Sequence, residues 1–398
     1  MKDARGLRAI PRSIWALGLV SMLMDTSSEM IHGLLPVFLV SVLGASMVSV
    51  GLIEGIAEAT ASITKVFSGA LSDYLGKRKL LATLGYGLAA VTKPMFPLAQ
   101  SVGWVVTARF VDRIGKGIRG APRDALVGDL APPHLRGASY GLRQSLDTVG
   151  AFAGPLLAVL LMALTLNDFR LVFWIAVIPA FLSLAVMIFG VTEPEARREP
   201  GTAHSPIRAA DFRQLGAPYW WLVLIAAVLT LARFSEAFLV LRAQSVGLPI
   251  TLTPAVLVVM NVVYAASACP AGRLSDRVDR RRVLAAGCVA LVVANVVLAL
   301  ADGVWLALAG VVLWGLHMGL TQGLFAAMLT DATPSRIRGS AFGVFNLVSG
   351  GAMLIASVLA GWLWDRYEAP ATFYAGAGFT IVALAGLWKT LTRGTQRR

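Results

Sequence analysis

Residues 69–81 read GALSDYLGKRKLL, and residues 272–284 read GRLSDRVDRRRVL. Gly69 falls on Gly272, Leu71 on Leu274, Ser72 on Ser275 and Asp73 on Asp276, and the basic run Lys77-Arg78-Lys79 falls on Arg280-Arg281-Arg282. A second block recurs at nearly the same offset: Asp129, Pro132, Arg136, Gly137 and Gly141 match Asp331, Pro334, Arg338, Gly339 and Gly343. Such self-similarity constrains the fold strongly, because a duplicated sequence folds as two like units. In both copies the first block is a short basic turn between long apolar runs.

Those runs set the class of fold. Hydrophobic residues make up 57% of the 398 positions and charged residues only 14%, against about 25% charged in a soluble domain. Mean hydropathy is +0.72. Apolar stretches long enough to cross a bilayer fall near 13–43, 47–71, 80–99, 103–128, 138–165, 170–191, 219–243, 252–272, 283–301, 303–328, 339–364 and 371–391. The expected fold is therefore an all-α membrane protein of twelve transmembrane helices arranged as two pseudo-symmetric six-helix bundles. The expected domains are an N-terminal bundle over 1–191, a polar, Pro-containing linker over 192–218, and a C-terminal bundle over 219–398. A cavity lined by helices 1, 4, 7 and 10 is expected between the bundles. The first run is too long and too acidic for a cleavable signal peptide. Cys269 and Cys288 lie in or beside spans and are expected to be packing residues rather than a disulfide or metal pair.

The formal charge of +13 invites a nucleic-acid reading, but its distribution excludes one. Lys and Arg crowd every second loop, at Lys2 to Arg12, Lys77 to Lys79, Arg136, Arg197 to Arg213, Arg273 to Arg282, Arg336 and Arg338, and Lys389 to Arg398. That is the pattern of cytoplasmic loops, which places both termini in the cytoplasm of a multi-pass protein of a prokaryotic inner membrane.

On these motifs the chain resembles the major facilitator superfamily over essentially its whole length. Residues 69–78 look like its loop 2–3 signature, a glycine, a one-turn-later aspartate and a basic cluster. Residues 113–120, RIGKGIRG, look like the helix-4 signature of its drug–proton antiporter branches, with Lys116 and Arg119 in place of a glutamine and a small residue. Residues 150–158, GAFAGPLLA, look like the helix-5 signature of its exporters, with Ala158 replacing a glycine. The resemblance implies a secondary transporter, and the helix-5 motif implies export. Gating is expected of Gly69, Asp73, Arg78, Asp276, Gly154 and Pro155. Independently of any family, Gly69 is read as allowing close helix approach. Asp73 is read as bonding a neighbouring helix end or an arginine on it.

Subtracting one half from the other isolates the residues with work beyond scaffolding. At the positions of Arg119 and Arg123 the second copy has Thr321 and Phe325, and at those of Glu54 and Glu58 it has Leu257 and Asn261. Two acids recur after a serine, Glu29 and Glu236. At about 1.5 Å per helical residue, Asp25, Glu29, Glu54, Glu58, Arg113, Lys116, Arg233 and Glu236 fall near one depth. A lone charge there costs about 2.5–3.5 kcal/mol on insertion scales, so these charges should pair or face water. The substrate and proton-coupling set is read as Asp25, Glu29, His32, Glu54, Glu58, Arg109, Arg113, Lys116, Arg119, Arg233 and Glu236. Structural ion pairs are expected between Asp147 and Arg119 and between Arg143 and Asp124. Lys65 and Arg242, near span ends, are expected to snorkel, and Trp104, Trp220 and Trp221 to anchor at the interface.

The expectation is a proton-coupled antiporter exporting a small amphiphilic, anionic or zwitterionic drug, metabolite or chelator by alternating access. Glu29 is the leading proton carrier, and His32, one turn on, could relay protons. The alternatives are a proton-coupled importer of an organic anion and a flippase for a lipid-like amphiphile. The partners are protons, a small-molecule substrate and membrane lipids, the protein acting as a monomer with no cofactor or metal. No nucleophile–base pair, metal-ligand cluster or phosphate loop points to an enzyme.

Overall fold

A computed structural model describes residues 10–75, 77–192, 215–333 and 338–395. The remainder, which includes most of the linker, lies outside the described residues. The described chain is helical throughout. Helix α1 runs Arg12–His32 and resumes as Leu35–Ser41. Then come α2 (Met47–Leu75), α3 (Arg78–Thr92, continued by a 3-10 turn at Lys93–Met95), α4 (Val102–Leu130), α5 (Arg136–Leu164) and α6 (Phe169–Gly190). Helix α7 is broken into Ala217–Ala232 and Ala237–Ser245; α8 spans Ala255–Arg277, α9 Arg280–Leu300 and α10 Val304–Asp331. The long helical stretch Arg338–Thr395 breaks at Tyr367 and at Glu368, where φ is 67°, and so supplies α11 and α12.

Among the described residues, eight stretches are long and apolar enough to cross a membrane on length and composition alone, and one of them, 341–387, contains that break and holds two spans. The remaining three spans are α1, α3 and α4. Their charges, or in α3 its shortness, hide them from a composition test. The twelve helices and two halves expected from the sequence are thus present.

The described residues divide into two compact units, 10–35 with 60–192 and 36–59 with 215–395. In the first, Leu17, Val20, Met24, Tyr86, Leu126 and Met187 belong to a fully buried core. In the second, the Phe234 ring centre lies within 5.6 Å of those of Phe238, Trp314 and Phe373, in edge-on or tilted contacts. The outer part of α2 joins the second unit through glycines. A Cβ on Gly51 would fall 2.0 Å from the Ser357 carbonyl oxygen of α11, and one on Gly361 of α11 would fall 2.2 Å from that of Met47. The backbones touch because these positions have no side chain. At the end of this contact Asp365 accepts hydrogen bonds from the Met47 and Val48 amides at 3.0 and 2.9 Å. It caps α2 from a distant part of the sequence.

Arg242 does not snorkel. It is 8% exposed, and its guanidinium donates to the carbonyls of Leu298, Ala299 and Ala301 at 2.9, 3.2 and 2.7 Å. The last turn of α9 has open carbonyls that need donors, and a buried guanidinium supplies them. Both cysteines are free, Cys269 exposed and Cys288 buried.

Candidate functional site

The charged residues of the first unit gather on α1, α3, α4 and α5. Glu29 and His32 face each other one turn apart on α1, with Oε2 3.4 Å from Nδ1. The helix-5 motif explains how α1 sits there. A Cβ on Gly150 would fall 2.3 Å from the Met22 carbonyl oxygen, and one on Gly154 would fall 2.7 Å from that of Thr26 and 2.8 Å from Glu29 Cβ. Only glycine lets α5 lie against the backbone of α1 beneath Glu29. Pro155, the next residue, is buried within α5. Lys116 and Arg113 on α4 act electrostatically on Glu29, and Lys116 and Arg119 act on Asp25. Asp147 on α5 acts electrostatically on Asp25 as well.

Two residues that the sequence reading missed complete this side. Lys93, at the end of α3, is 1% exposed and donates to Asp112 Oδ1 on α4 at 2.9 Å and to Ser28 Oγ on α1 at 3.0 Å. Asp112 is itself only 4% exposed and feels Arg113, Arg119 and Arg109 as well. A buried lysine at the end of an apolar run and an aspartate beside Arg113 were visible in the sequence. That they share a depth was the signal to pair them.

The structural ion pairs are partly as expected. Arg143 meets Asp124 at 3.7 Å. Asp147, however, is held by Arg143 at 3.4 Å and Arg123 at 3.6 Å, in place of the expected Arg119. The reason is direction: Arg119 points toward α3, where its guanidinium lies 4.9 Å from the centre of the Tyr86 ring. Arg123 is tied further to Ser21 on α1 at 3.2 Å and to Asp124 at 3.1 Å.

In the second unit, Arg233 and Glu236 sit in the break of α7, where the backbone leaves the helix. The loop is held by Ser357 Oγ, which accepts from the Ser235 amide at 3.2 Å, and by Ser235 Oγ, which accepts from the Ala237 amide at 3.2 Å. Arg233 experiences Glu236. Glu54 is buried and Glu58 half-buried on the outer part of α2. Interrupted spans carrying charge at mid-depth are the usual sites of secondary transporters.

Of the gating residues, Arg78 is engaged. It donates to the Ala125 carbonyl at 3.3 Å and pairs with Asp129, so it joins the two repeated blocks. The side chains of Asp73 and Asp276 lie outside the described residues. Gly69 does not make the expected close approach: a Cβ there would meet only Ala121 Cβ at 3.4 Å, and one on Gly272 would meet nothing within 4 Å. Helices α2 and α4 instead close at Gly117, where a Cβ would fall 2.5 Å from Thr64 Cβ.

Twelve spans in two repeated units, with buried charge gathered on α1, α3, α4 and α5 and a charged break in α7, define a multi-pass membrane protein of transporter architecture. The Major Facilitator Superfamily model matches residues 17–263 and 234–398, and the chain belongs to that family. It is 31% identical over 389 residues to an uncharacterized MFS-type transporter of Methanocaldococcus jannaschii, covering 96% of each chain. It is 24% identical over 336 residues to the class C tetracycline resistance protein of Escherichia coli, covering 79% of each. Among solved structures, the nucleoside transporter NupG superposes with a TM-score of 0.77 at 12% identity, covering 96% of this chain and 99% of that one. That likeness is one of fold.

Proposed function

We propose that the chain is a proton-coupled exporter of a small amphiphilic compound bearing an anionic or zwitterionic group, working by alternating access of its two six-helix bundles, 1–191 and 219–398. The observation that carries this reading is Glu29. It is an acid on α1 in contact with His32, within the fields of Lys116 and Arg113, and set on the glycine seam with α5. Protonation of such a carboxyl removes its hold on neighbouring cations and releases them to a substrate anion; deprotonation takes them back. His32 is placed to pass the proton.

The sign of the substrate charge is supported by the local balance. Lys93, Arg109, Arg113, Lys116, Arg119, Arg123 and Arg143 outnumber Asp25, Glu29, Asp112, Asp124 and Asp147, seven cations to five acids. Export is supported by the helix-5 motif and by the likeness to a tetracycline resistance protein. The distribution of basic residues among the loops supports an inner-membrane setting with both termini cytoplasmic.

The test is transport in proteoliposomes with an imposed pH difference. Glu29→Gln, which mimics the protonated acid, is expected to exchange substrate across the membrane yet fail to concentrate it. Uphill transport by the variant equal to that of the parent would move the coupling role to Asp25 or Glu58.

A further inference from the structure

Gly85 lets α3 lie against α4 at Arg119: a Cβ on it would fall 2.7 Å from the Arg119 amide nitrogen and 2.8 Å from Arg119 Cβ. The next residue of α3, Tyr86, thereby comes beside the Arg119 side chain, whose guanidinium lies 4.9 Å from the ring centre. A cation over a ring is attracted to it, but no N–H or O–H is satisfied. Tyr86 is fully buried and Arg119 nearly so. Arg119 Nη1 and Tyr86 Oη are both buried without a hydrogen-bond partner among the described residues. The fields of Asp25 and Asp112 reach this guanidinium, but Asp112 is paired with Lys93 at 2.9 Å. The helix seam does not call for these donors. With Gly287 in the place of Gly85, the second unit has Cys288 for Tyr86 and Thr321 for Arg119, both buried. Thr321 Oγ1 donates to the His317 carbonyl at 2.9 Å, so that hydroxyl is satisfied within its own helix.

We propose that Arg119 Nη1 and Tyr86 Oη together hold a compact anion, a halide or the carboxylate of an organic acid. A guanidinium has donors only, and a phenol can donate. Buried donors left by the protein call for an acceptor from outside it. Water would serve the hydrogen bonds but leave a buried cation uncompensated, whereas an anion answers both demands. The surrounding charge agrees, since the cations of this cluster outnumber its acids seven to five. The rim is accessible: Asp25 on α1 and Arg123, one turn further along α4, are half-buried, and Lys116 is exposed. Where the anion is the carboxylate of the transported compound, the inference rests on the function proposed above; where it is a halide, it does not.

The test is thermal unfolding of the purified full-length protein in detergent, titrated with sodium chloride or sodium acetate at an ionic strength held constant with a bulky sulfonate. At least one of the two anions is expected to raise the midpoint saturably. Stabilisation by acetate alone assigns the site to the carboxylate of an organic acid, by chloride alone to a halide, and by both to any compact anion. Tyr86→Phe, which keeps the ring and the cation over it, should raise the half-saturating concentration about three- to tenfold. Arg119→Gln should raise it about tenfold or more. Arg366→Gln, which removes an exposed cation of the second unit, should leave it unchanged. The proposal is overturned if neither anion stabilises beyond the sulfonate, which would leave the two donors to water. Half-saturation in Tyr86→Phe equal to that of the parent would also overturn it, as would a loss in Arg366→Gln as large as in Arg119→Gln, marking general surface charge. Should Arg119→Gln not fold, Tyr86→Phe decides the matter. None of these outcomes bears on uphill transport by Glu29→Gln, so the coupling role of Glu29 stands or falls separately.

Discussion

Helices α4 and α10 occupy equivalent places in the repeat and meet their neighbours in the same way. In the first unit Gly85 on α3 lies against the Arg119 amide and the Gly115 carbonyl of α4, and Gly117 on α4 lies against Thr64 of α2. In the second, Gly287 on α9 lies against Thr321 and Leu320 of α10, and Gly319 on α10 lies against Ser267 of α8. What these seams carry differs. At the repeat positions of the buried Lys93–Asp112 pair, the second unit has Asn295 and Trp314, both buried. Where Arg119 faces Tyr86, Thr321 merely bonds back to the His317 carbonyl at 2.9 Å. Duplication kept the backbone contacts and let the side chains diverge. At these positions one unit holds its helices together by paired charge, and the other by shape.

The largest test of that contrast is the buried pair. Lys93→Met removes the ion-pair partner of the buried Asp112, a loss of about 3–5 kcal/mol. Lys93→Met/Asp112→Leu should regain most of it, because an apolar pair of similar volume can replace a buried ion pair. Unfolding of the purified protein in detergent measures both, and a double variant as unstable as the single would mean the pair does more than hold helices. A middle-sized test compares the seams. Gly85→Ala forces a Cβ to 2.7 Å from backbone, a cost of about 1–3 kcal/mol. Gly287→Ala forces a Cβ to 2.5 Å from Thr321 Cγ2 and 3.0 Å from Leu320 Cβ, atoms fixed close to the α10 backbone, so its loss should be of similar size in the same assay. A loss at Gly287 far below that at Gly85 would mean that the two seams are not equivalent. The smallest effect is expected at Asp365. Asp365→Ala removes the cap of α2 and should lower the unfolding free energy by about 0.5–2 kcal/mol. The helix at the repeat position, α8, begins after Pro254 with no side-chain cap, and Pro254→Ala should change the midpoint far less.

Much of this architecture was legible in the sequence because hydropathy and duplication act along the chain. Nine of the spans announce themselves by composition, and the repeat supplies the partners of α1, α3 and α4. The helix-5 glycines 150 and 154, i and i+4 on one face, were read as a motif and are also a packing seam. What the sequence concealed is lateral. Depth can be counted along a helix, yet which neighbour a side chain faces depends on helix rotation. For that reason Asp147 was matched to Arg119 by depth and found Arg123 by direction. Arg242 was placed correctly near a span end, but the open carbonyls of α9 that it satisfies are 56 to 59 residues away. The grouping of residues 36–59 with the second unit rests on Gly51, Gly55 and Gly361, a contact between unlike copies that no internal repeat marks.

The Asp365 cap makes an isotopic record of conformation possible. Met47 and Val48 donate their amide hydrogens to one carboxylate on α11. Any state in which the outer end of α2 leaves α11 must release both hydrogens to water together. Their exchange with deuterium then counts the fraction of molecules in that state. A substrate or a pH jump that favours the separated form should quicken the labelling of these two amides and leave the mid-helix amides of α2 slow.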